Sequence, residues 1–427
     1  MNYKMLIHGG KPLEGSIVVQ GAKNAALPVI ASSLLLRDKT LRLKRVPKLQ
    51  DIFTMADLLR HLGANVHFQD NEMNIFVPDE LNWETPKSLV RKMRASSLVL
   101  GPLLARTKRA ILPLPGGCAI GSRPIDLHLK GLARLGANID LVHGAVHANA
   151  NTLKGAKIYL DFPSVGATEN LLMAAVFAEG ETVIENAARE PEIRNLIETL
   201  NLMGCSIDGA GTGTLHISGT GDLEGGEIEI IPDRIEASTY LIAGAATGGD
   251  VTVSRVIPEQ LDAITAKLEE AGVGIETGED HVRAFQEESI KSVTLKTLPY
   301  PGFPTDVQPQ FTALMAIAEG TSIIQEGVFE SRFLHVSELK RMGANIELQG
   351  NTAVVSGVQT LNGADVRATD LRAGAALVIA GLSTPDETSL FGLGHIWRGY
   401  ERIDEKIRSL GGQVKIVVSE ENGDLKW

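Results

Sequence analysis

The chain has 427 residues, 44% of them hydrophobic and 22% charged, with a formal net charge of −11. That length exceeds one ordinary domain, the composition is that of a folded chain, and the charge argues against a nucleic-acid binder. Two cysteines and ten scattered histidines, without an HExxH or a Cys–His cluster, point away from a disulfide framework and from a resident metal. The first residues carry no long apolar h-region and no run reaches the length of a membrane span, so the expectation is a cytoplasmic protein without membrane insertion.

In chain order, the first elements are two short strands, over 5–7 and 16–20. A helix over 25–36 follows, apolar nearly all round and rich in Ala, as a helix buried on every side must be. Leu41 and Leu43 then alternate with Arg42 and Lys44, the pattern of a strand with one face in water. Next, Asp51, Ile52, Met55, Leu58, Leu59 and Leu62 fall at helical spacing, with Asp51 as candidate N-cap. That helix ends at Leu62-Gly63-Ala64-Asn65-Val66, where Gly63 is expected to take the left-handed conformation that turns the chain into a strand. Val66 and Phe68 against His67 and Gln69 begin that strand.

The same signature returns at Leu135-Gly136-Ala137-Asn138-Ile139, Met203-Gly204-Cys205-Ser206-Ile207, Ala271-Gly272-Val273-Gly274-Ile275, Met342-Gly343-Ala344-Asn345-Ile346 and Leu410-Gly411-Gly412-Gln413-Val414. The glycines stand about 70 residues apart, the length of a small α/β unit rather than a solenoid turn. Each is preceded by an amphipathic helix and, further upstream, by an apolar Ala-rich one: after 25–36 these cover 95–105, 171–178, 237–246, 311–318 and 373–382. Buried helices inside and one-faced sheets outside predict an inside-out α/β barrel, three units per domain and two domains. The first is expected over 22–232 and the second over 233–427 with residues 1–21. The last unit is short of strands after Val414, and 5–7 and 16–20 are the segments expected to complete its sheet. Gly209-Ala210-Gly211-Thr212-Gly213 lacks GxGxxG spacing, lies between short alternating runs and predicts a hairpin turn rather than a nucleotide loop.

The residues that open the buried helices are Lys23-Asn24, Arg94, Thr168-Glu169, Arg234, Asp306 and Arg372. A cation at a helix N-terminus opposes the macrodipole, so several at equivalent places point to an anion among them. The plainer reading is that each reaches water or pairs with an acid. Pseudo-symmetry is expected to aim the helix starts of both domains at an interdomain cleft. Arg398-Gly399-Tyr400-Glu401-Arg402 adds charge before the final helix, or is a solvated helix start. Asp306, bracketed by Pro304 and Pro309, is either a helix N-cap or a base beside an anionic substrate.

Leu114-Pro115-Gly116-Gly117-Cys118-Ala119-Ile120-Gly121-Ser122-Arg123-Pro124 is a glycine-rich loop without apolar periodicity. A thiol needs a positive neighbour and exposure to act as acid or nucleophile near neutral pH, and Arg123 is in sequence reach of Cys118. Glycines at this density also suit a loop that closes over a substrate. Cys205 sits where sibling signatures carry Ala, Val or Gly, and reads as a small core residue.

Gly21-Ala22-Lys23-Asn24-Ala25-Ala26-Leu27-Pro28, Met93-Arg94-Ala95-Ser96, Pro115-Gly116-Gly117-Cys118, Gly121-Ser122-Arg123-Pro124, Arg189-Glu190-Pro191-Glu192-Ile193, Phe303-Pro304-Thr305-Asp306, Phe329-Glu330-Ser331-Arg332-Phe333 and Arg398-Gly399-Tyr400-Glu401-Arg402 together resemble the enolpyruvyl transferase family, in the branch whose acceptor is UDP-N-acetylglucosamine. The resemblance spans nearly the whole chain and implies the inside-out α/β barrel pair. It implies transfer of the enolpyruvyl group of phosphoenolpyruvate to the 3-hydroxyl of UDP-N-acetylglucosamine, with release of phosphate, in the opening step of bacterial peptidoglycan synthesis. It implies Lys23, Arg123 and Arg398 on the phosphoenolpyruvate phosphate and carboxylate, with Arg94 and Arg372 nearby, and Asn24 and Asp306 on the sugar. Arg123, Pro124, Ile125, Asp126 and Leu127, with Ser164, Val165, Gly166 and Val328, match the uridine-diphosphate pocket. Cys118, Asp306, Lys23 and Arg398 are the implied catalytic set, Asp306 as base and Cys118 as proton donor and site of a covalent adduct. No metal or cofactor is implied. Two alternatives stand beside this: the shikimate 3-phosphate branch, whose pattern lacks the Gly-Gly-Cys loop and the Gly-Ala-Lys-Asn opening, and a non-catalytic UDP-sugar sensor of the same fold.

Overall fold

The computed structural model describes residues 2–114 and 125–419. They divide into two compact units. The first domain holds residues 21–114 and 125–231, the second residues 2–20 and 232–419. Each has its own apolar core, one drawn from residues 22–230 and the other from residues 5–19 and 235–414.

Six buried helices occupy the cores: α1 (Lys23–Ser32), α2 (Leu100–Thr107) and α3 (Val165–Ala175) in the first domain, and α4 (Arg234–Ala246), α5 (Gln308–Met315) and α6 (Leu371–Ser383) in the second. Every residue of α4 is buried, and in α1 only Asn24 is not. Small residues make such packing possible. A Cβ on Gly101 of α2 would stand 2.3 Å from the Asn170 carbonyl oxygen of α3, and the Gly101 N–H donates to Asn170 Oδ1 at 2.7 Å. Hydroxyls inside the helices satisfy themselves on the preceding turn, as Thr239 does on the Ile235 carbonyl at 2.8 Å.

Among the described residues six sheets cover these helices, three to a domain, five of four strands and one of three. No strand among these links one sheet to the next, so each domain holds its helices inside open sheets, the inside-out arrangement expected, without a closed β-barrel among the described residues. The sheet built on Lys39–Lys44 shows the plan. It pairs antiparallel with Glu72–Val77, which pairs antiparallel with Asn65–Gln69, while Gly226–Glu229 joins the other edge in parallel. Leu41 and Leu43 are buried and Arg42 and Lys44 exposed, as the alternation predicts. Asn2–His8 takes the central antiparallel place in the last sheet, between Glu387–Phe391 and Gln413–Ser419. The expectation for residues 5–7 is met. That for residues 16–20 is not: Glu14–Val18 runs parallel to Asp250–Ser254 in another sheet. The last sheet already has its parallel edge strand in Asp365–Arg367, so there is no place in it for a second N-terminal strand. The predicted hairpin turn at 209–213 joins the antiparallel strands Ser206–Asp208 and Thr214–Ser218.

All six signature glycines have positive φ, between +86° and +109°. Each ends an amphipathic helix, as expected. Asp51 departs from expectation: the helix Gln50–His61 is preceded by Leu49, which makes no side-chain cap, and Asp51 lies in the first turn with its carboxylate on Lys23.

These glycines give a direct test. A Cβ on Gly204 (φ +104°) would meet nothing within 4 Å, so Gly204→Ala isolates the backbone term. The variant should lose about 1 kcal/mol in urea denaturation with an unchanged m-value. No loss would mean that the turn relaxes without cost.

Candidate active site

The described site residues fall into two sets, one in each domain. Cys118, Arg123 and Pro124 lie outside the described residues.

In the first domain, Lys23 is the first residue of α1. Its Nζ sits 2.7 Å from Asp51 Oδ2, with side chains only 8% and 4% exposed. Asn24, on the same turn, faces solvent. Arg94, half-buried, opens the short helical turn Arg94–Val99 that leads into α2. Residues 125–127 and 164–166 meet at His128. Ile125 is buried, Asp126 begins the helix Asp126–Arg134 and is exposed, and Leu127 is half-buried. Ser164 caps α3 by accepting from the Ala167 N–H at 3.3 Å, and Val165 and Gly166 form the first turn. A Cβ on Gly166 would stand 3.2 Å from His128 Cε1, so a larger residue would displace the imidazole.

His128 is buried, and burial, reinforced by the Arg94 charge, lowers its pKa to about 4. Its Nδ1 therefore accepts from Asn170 Nδ2 at 2.9 Å, which assigns the proton to Nε2. Asn170 also donates to the Ser97 carbonyl at 3.1 Å, so one amide ties α3 to both segments that carry Arg94 and His128. Thr168 and Glu169 do not open α3, because the helix begins at Val165. Thr168 Oγ1 donates to the Ser164 carbonyl at 2.8 Å and accepts from the Ala188 N–H at 3.0 Å. Burial raises the Glu169 carboxyl well above its ordinary range, and the nearby Glu192 and Glu190 charges add to this.

In the second domain the starts of the three buried helices converge. Asp306 is not an N-cap: Val307 occupies that place before α5 and makes no side-chain cap. Its carboxylate is instead held by two arginines, Arg332 Nη2 at 2.8 Å from Oδ1 and Arg372 Nη2 at 3.1 Å from Oδ2. Both guanidinium side chains are at least 97% buried, at 2% and 3% exposed, while Asp306 keeps 26% exposure. Burial works against the Arg372 charge, but Asp306, Tyr400 and Asp233 outweigh it and raise its pKa. Arg234 and Arg372 each follow an acidic cap: Asp233 accepts from the Ile235 and Glu236 N–H groups, and Asp370 from those of Arg372 and Ala373. The caps answer the unfavourable dipole term at these cations. The turn at 398–400 lies over Arg372, since a Cβ on Gly399 would stand 3.7 Å from Arg372 Nη1, and Arg398 itself is half-buried. Val328 is joined to Thr305, the neighbour of Asp306, by Glu326, which accepts from the Val328 N–H at 2.8 Å through one oxygen and from Thr305 Oγ1 at 3.0 Å through the other.

Two buried guanidinium groups thus share the Asp306 carboxylate, a cationic setting of the kind that suits an anionic ligand. Asp51, His128, Asn170, Arg332, Glu326 and Tyr400 were not read from sequence as site residues. Arg332 and Tyr400 stand in the stretches 329–333 and 398–402 singled out above, whereas nothing local to Glu326 marks it. Cys205 is buried, and burial pushes its thiol up to about 12. Among the described residues no group of three His, Cys, Asp or Glu is placed to hold a metal, and no helix is long and apolar enough to cross a membrane.

The family described as EPSP synthase (3-phosphoshikimate 1-carboxyvinyltransferase) matches residues 7–407. The chain belongs to the enolpyruvyl transferase family. UDP-N-acetylglucosamine 1-carboxyvinyltransferase 1 of Caldanaerobacter subterraneus is 52% identical over 414 residues, covering 97% of this chain and 99% of that protein. UDP-N-acetylglucosamine 1-carboxyvinyltransferase 2 of Carboxydothermus hydrogenoformans is 53% identical over 416 residues, with the same coverage. These relatives put the chain in the UDP-N-acetylglucosamine 1-carboxyvinyltransferase branch, and it is an enzyme. Among solved structures, the enolpyruvyl transferase NikO from Streptomyces tendae superimposes with a TM-score of 0.88 at 25% identity, covering 98% of this chain and 99% of that one. EPSP synthase from Acinetobacter baumannii gives 0.75 at 19% identity, covering 98% and 100%, a likeness of fold.

The buried Lys23–Asp51 pair makes a prediction about this enolpyruvyl transferase. Asp51→Ala leaves an ammonium buried without its carboxylate and should cost roughly 3–5 kcal/mol. Combining it with Lys23→Met should recover most of that loss in chemical denaturation. A double variant no more stable than Asp51→Ala would show the pair to be uncoupled.

Proposed function

We propose that this enzyme transfers the enolpyruvyl group of phosphoenolpyruvate to the 3-hydroxyl of UDP-N-acetylglucosamine and releases phosphate, opening bacterial peptidoglycan synthesis in the cytoplasm. The observation that carries this reading is the identity of about half of all positions, over nearly the full length, with relatives that bear the UDP-N-acetylglucosamine name. The arrangement around Asp306 supports it, because phosphoenolpyruvate is a polyanion and needs fixed cations beside a group able to accept a proton.

The chemistry is addition followed by elimination. The sugar hydroxyl attacks C2 of phosphoenolpyruvate and passes its proton to Asp306, while Cys118 gives a proton to C3. The tetrahedral adduct then loses phosphate by cleavage of its C2–O bond and returns a proton from C3, leaving the enol ether. Lys23, Arg123 and Arg398, with Arg94 and Arg372, neutralise the phosphate and carboxylate through both steps. Asn24 and Asp306 orient the sugar, and the segments 123–127 and 164–166 with Val328 receive the uridine diphosphate. Ser164 and the first turn of α3 suit a diphosphate, since the positive end of a helix attracts an anion. The domain containing Cys118 is assigned to 22–232 and the other to 233–427 with residues 1–21.

The test is phosphate release with phosphoenolpyruvate and each acceptor. Release that requires UDP-N-acetylglucosamine is expected. Release with shikimate 3-phosphate instead, or binding of the UDP-sugar without release, would overturn the reading. Asp306→Asn places an amide NH2 against a guanidinium donor and removes the base, so turnover should fall by about two to four orders of magnitude. Wild-type turnover would remove Asp306 from the chemistry. At Cys118 a proton donor need not be sulfur, so Cys118→Asp should keep substantial activity and Cys118→Ala should not. Alkylation by the epoxide fosfomycin needs the thiolate, so it should inactivate wild type, label Cys118 rather than Cys205, and spare Cys118→Asp. Labelling mainly at Cys205, or full activity in Cys118→Ala, would defeat the assignment.

A further inference from the structure

Tyr400 is 1% exposed, and its hydroxyl meets all three buried helices of the second domain. It stands 3.0 Å from Thr239 Oγ1 on α4, 3.1 Å from Gln310 Nε2 on α5 and 3.2 Å from Arg372 Nη1 on α6. Counting donors fixes the directions. The Arg372 guanidinium can only donate to the phenol oxygen, and the Gln310 amide, whose Nε2 is also 3.1 Å from Thr239 Oγ1, shares one hydrogen between the two hydroxyl oxygens. The phenol proton must then go to Thr239 Oγ1, whose own proton is on the Ile235 carbonyl at 2.8 Å. Gln310 Nε2 also donates to the Asp306 carbonyl at 3.0 Å, which sets the amide in this orientation.

Arg372 is oriented by two ties. Nη2 is on Asp306, Nη1 is on Tyr400, and among the described residues Nε has no hydrogen-bond partner. Without the phenol oxygen the guanidinium can pivot about its Asp306 contact. Tyr400 also lies two residues after Arg398, so the same anchor sets the backbone that carries a second cation. We propose that the Tyr400 hydroxyl is a positioning group for the anion-binding arginines of this domain, holding Arg372 by direct contact and Arg398 through the chain, and that it governs affinity for phosphoenolpyruvate rather than for the UDP-sugar.

This rests on the function proposed above, and the experiment separates the two. Steady-state kinetics of the full-length wild type and Tyr400→Phe are measured by phosphate release with each substrate varied. The phenylalanine ring keeps the packing and loses only the oxygen. The KM for phosphoenolpyruvate should rise about tenfold, the order expected for loss of a hydrogen bond to a charged group. The KM for UDP-N-acetylglucosamine should stay within about twofold, and product inhibition by inorganic phosphate should weaken in parallel. A fall in kcat with both KM values unchanged, or an equal rise in both, is what a merely structural role predicts and would overturn the proposal. Thr239→Val, which removes the acceptor of the phenol proton, should move the same KM in the same direction by less, and it decides the matter if Tyr400→Phe does not fold. A wild type that releases no phosphate from phosphoenolpyruvate would overturn the proposed function itself.

Discussion

A charge buried in a helical core must be matched by a partner, and this requirement organises the second domain. Arg372 lies on the second residue of α6 with its side chain 3% exposed. Its position at a helix start is unfavourable for a cation. Asp306 and Tyr400 answer the charge directly, and Asp370 caps the same helix. Arg332 shares Asp306, so one carboxylate ties two buried guanidinium groups together. The cations sit in the core only because each is met by a partner; apolar packing alone would have excluded them.

The first domain solves a similar problem with different residues. Lys23 starts α1 and is matched by Asp51 from the neighbouring amphipathic helix. Asn170 plays the part there that Gln310 plays in the second domain, an amide inside the bundle that bonds to the starts of adjacent elements. Both amides are fully buried. In each case the polar group fixes one arrangement of helices whose Ala-rich surfaces would otherwise pack in several registers, because an unmade hydrogen bond in the core is costly. His128 illustrates the consequence for chemistry. Burial keeps its ring neutral, and the Asn170 contact settles which nitrogen carries the proton.

The repeat makes this possible. One unit of about 70 residues, used six times, supplies a buried helix whose start can carry a charge and an amphipathic helix that a glycine ends. The last unit departs from the plan, since Asn2–His8 enters between Glu387–Phe391 and Gln413–Ser419. Residues 2–8 and 413–419 are thereby bound in one sheet.

Much of this was legible in the sequence. The six glycines, the apolar helices and the alternating strands follow from local rules: backbone sterics at positive φ, and the period with which side chains meet water or core. The cations at helix starts were legible for the same reason. The partners of those charges were not. Asp51 looked like a cap and serves Lys23. Asp306 looked like a cap or a base and proves to be gripped by Arg332 and Arg372. Thr168 and Glu169 looked like a helix start and lie in the next turn. Residues 16–20 joined a different sheet from the one expected. Glu326 carried no local mark at all, yet it links Val328 to the Asp306 segment. Periodicity records whether a residue is buried, and that is a property of its own element. Which two buried groups touch depends on how elements distant in sequence pack, and only the tertiary structure decides it.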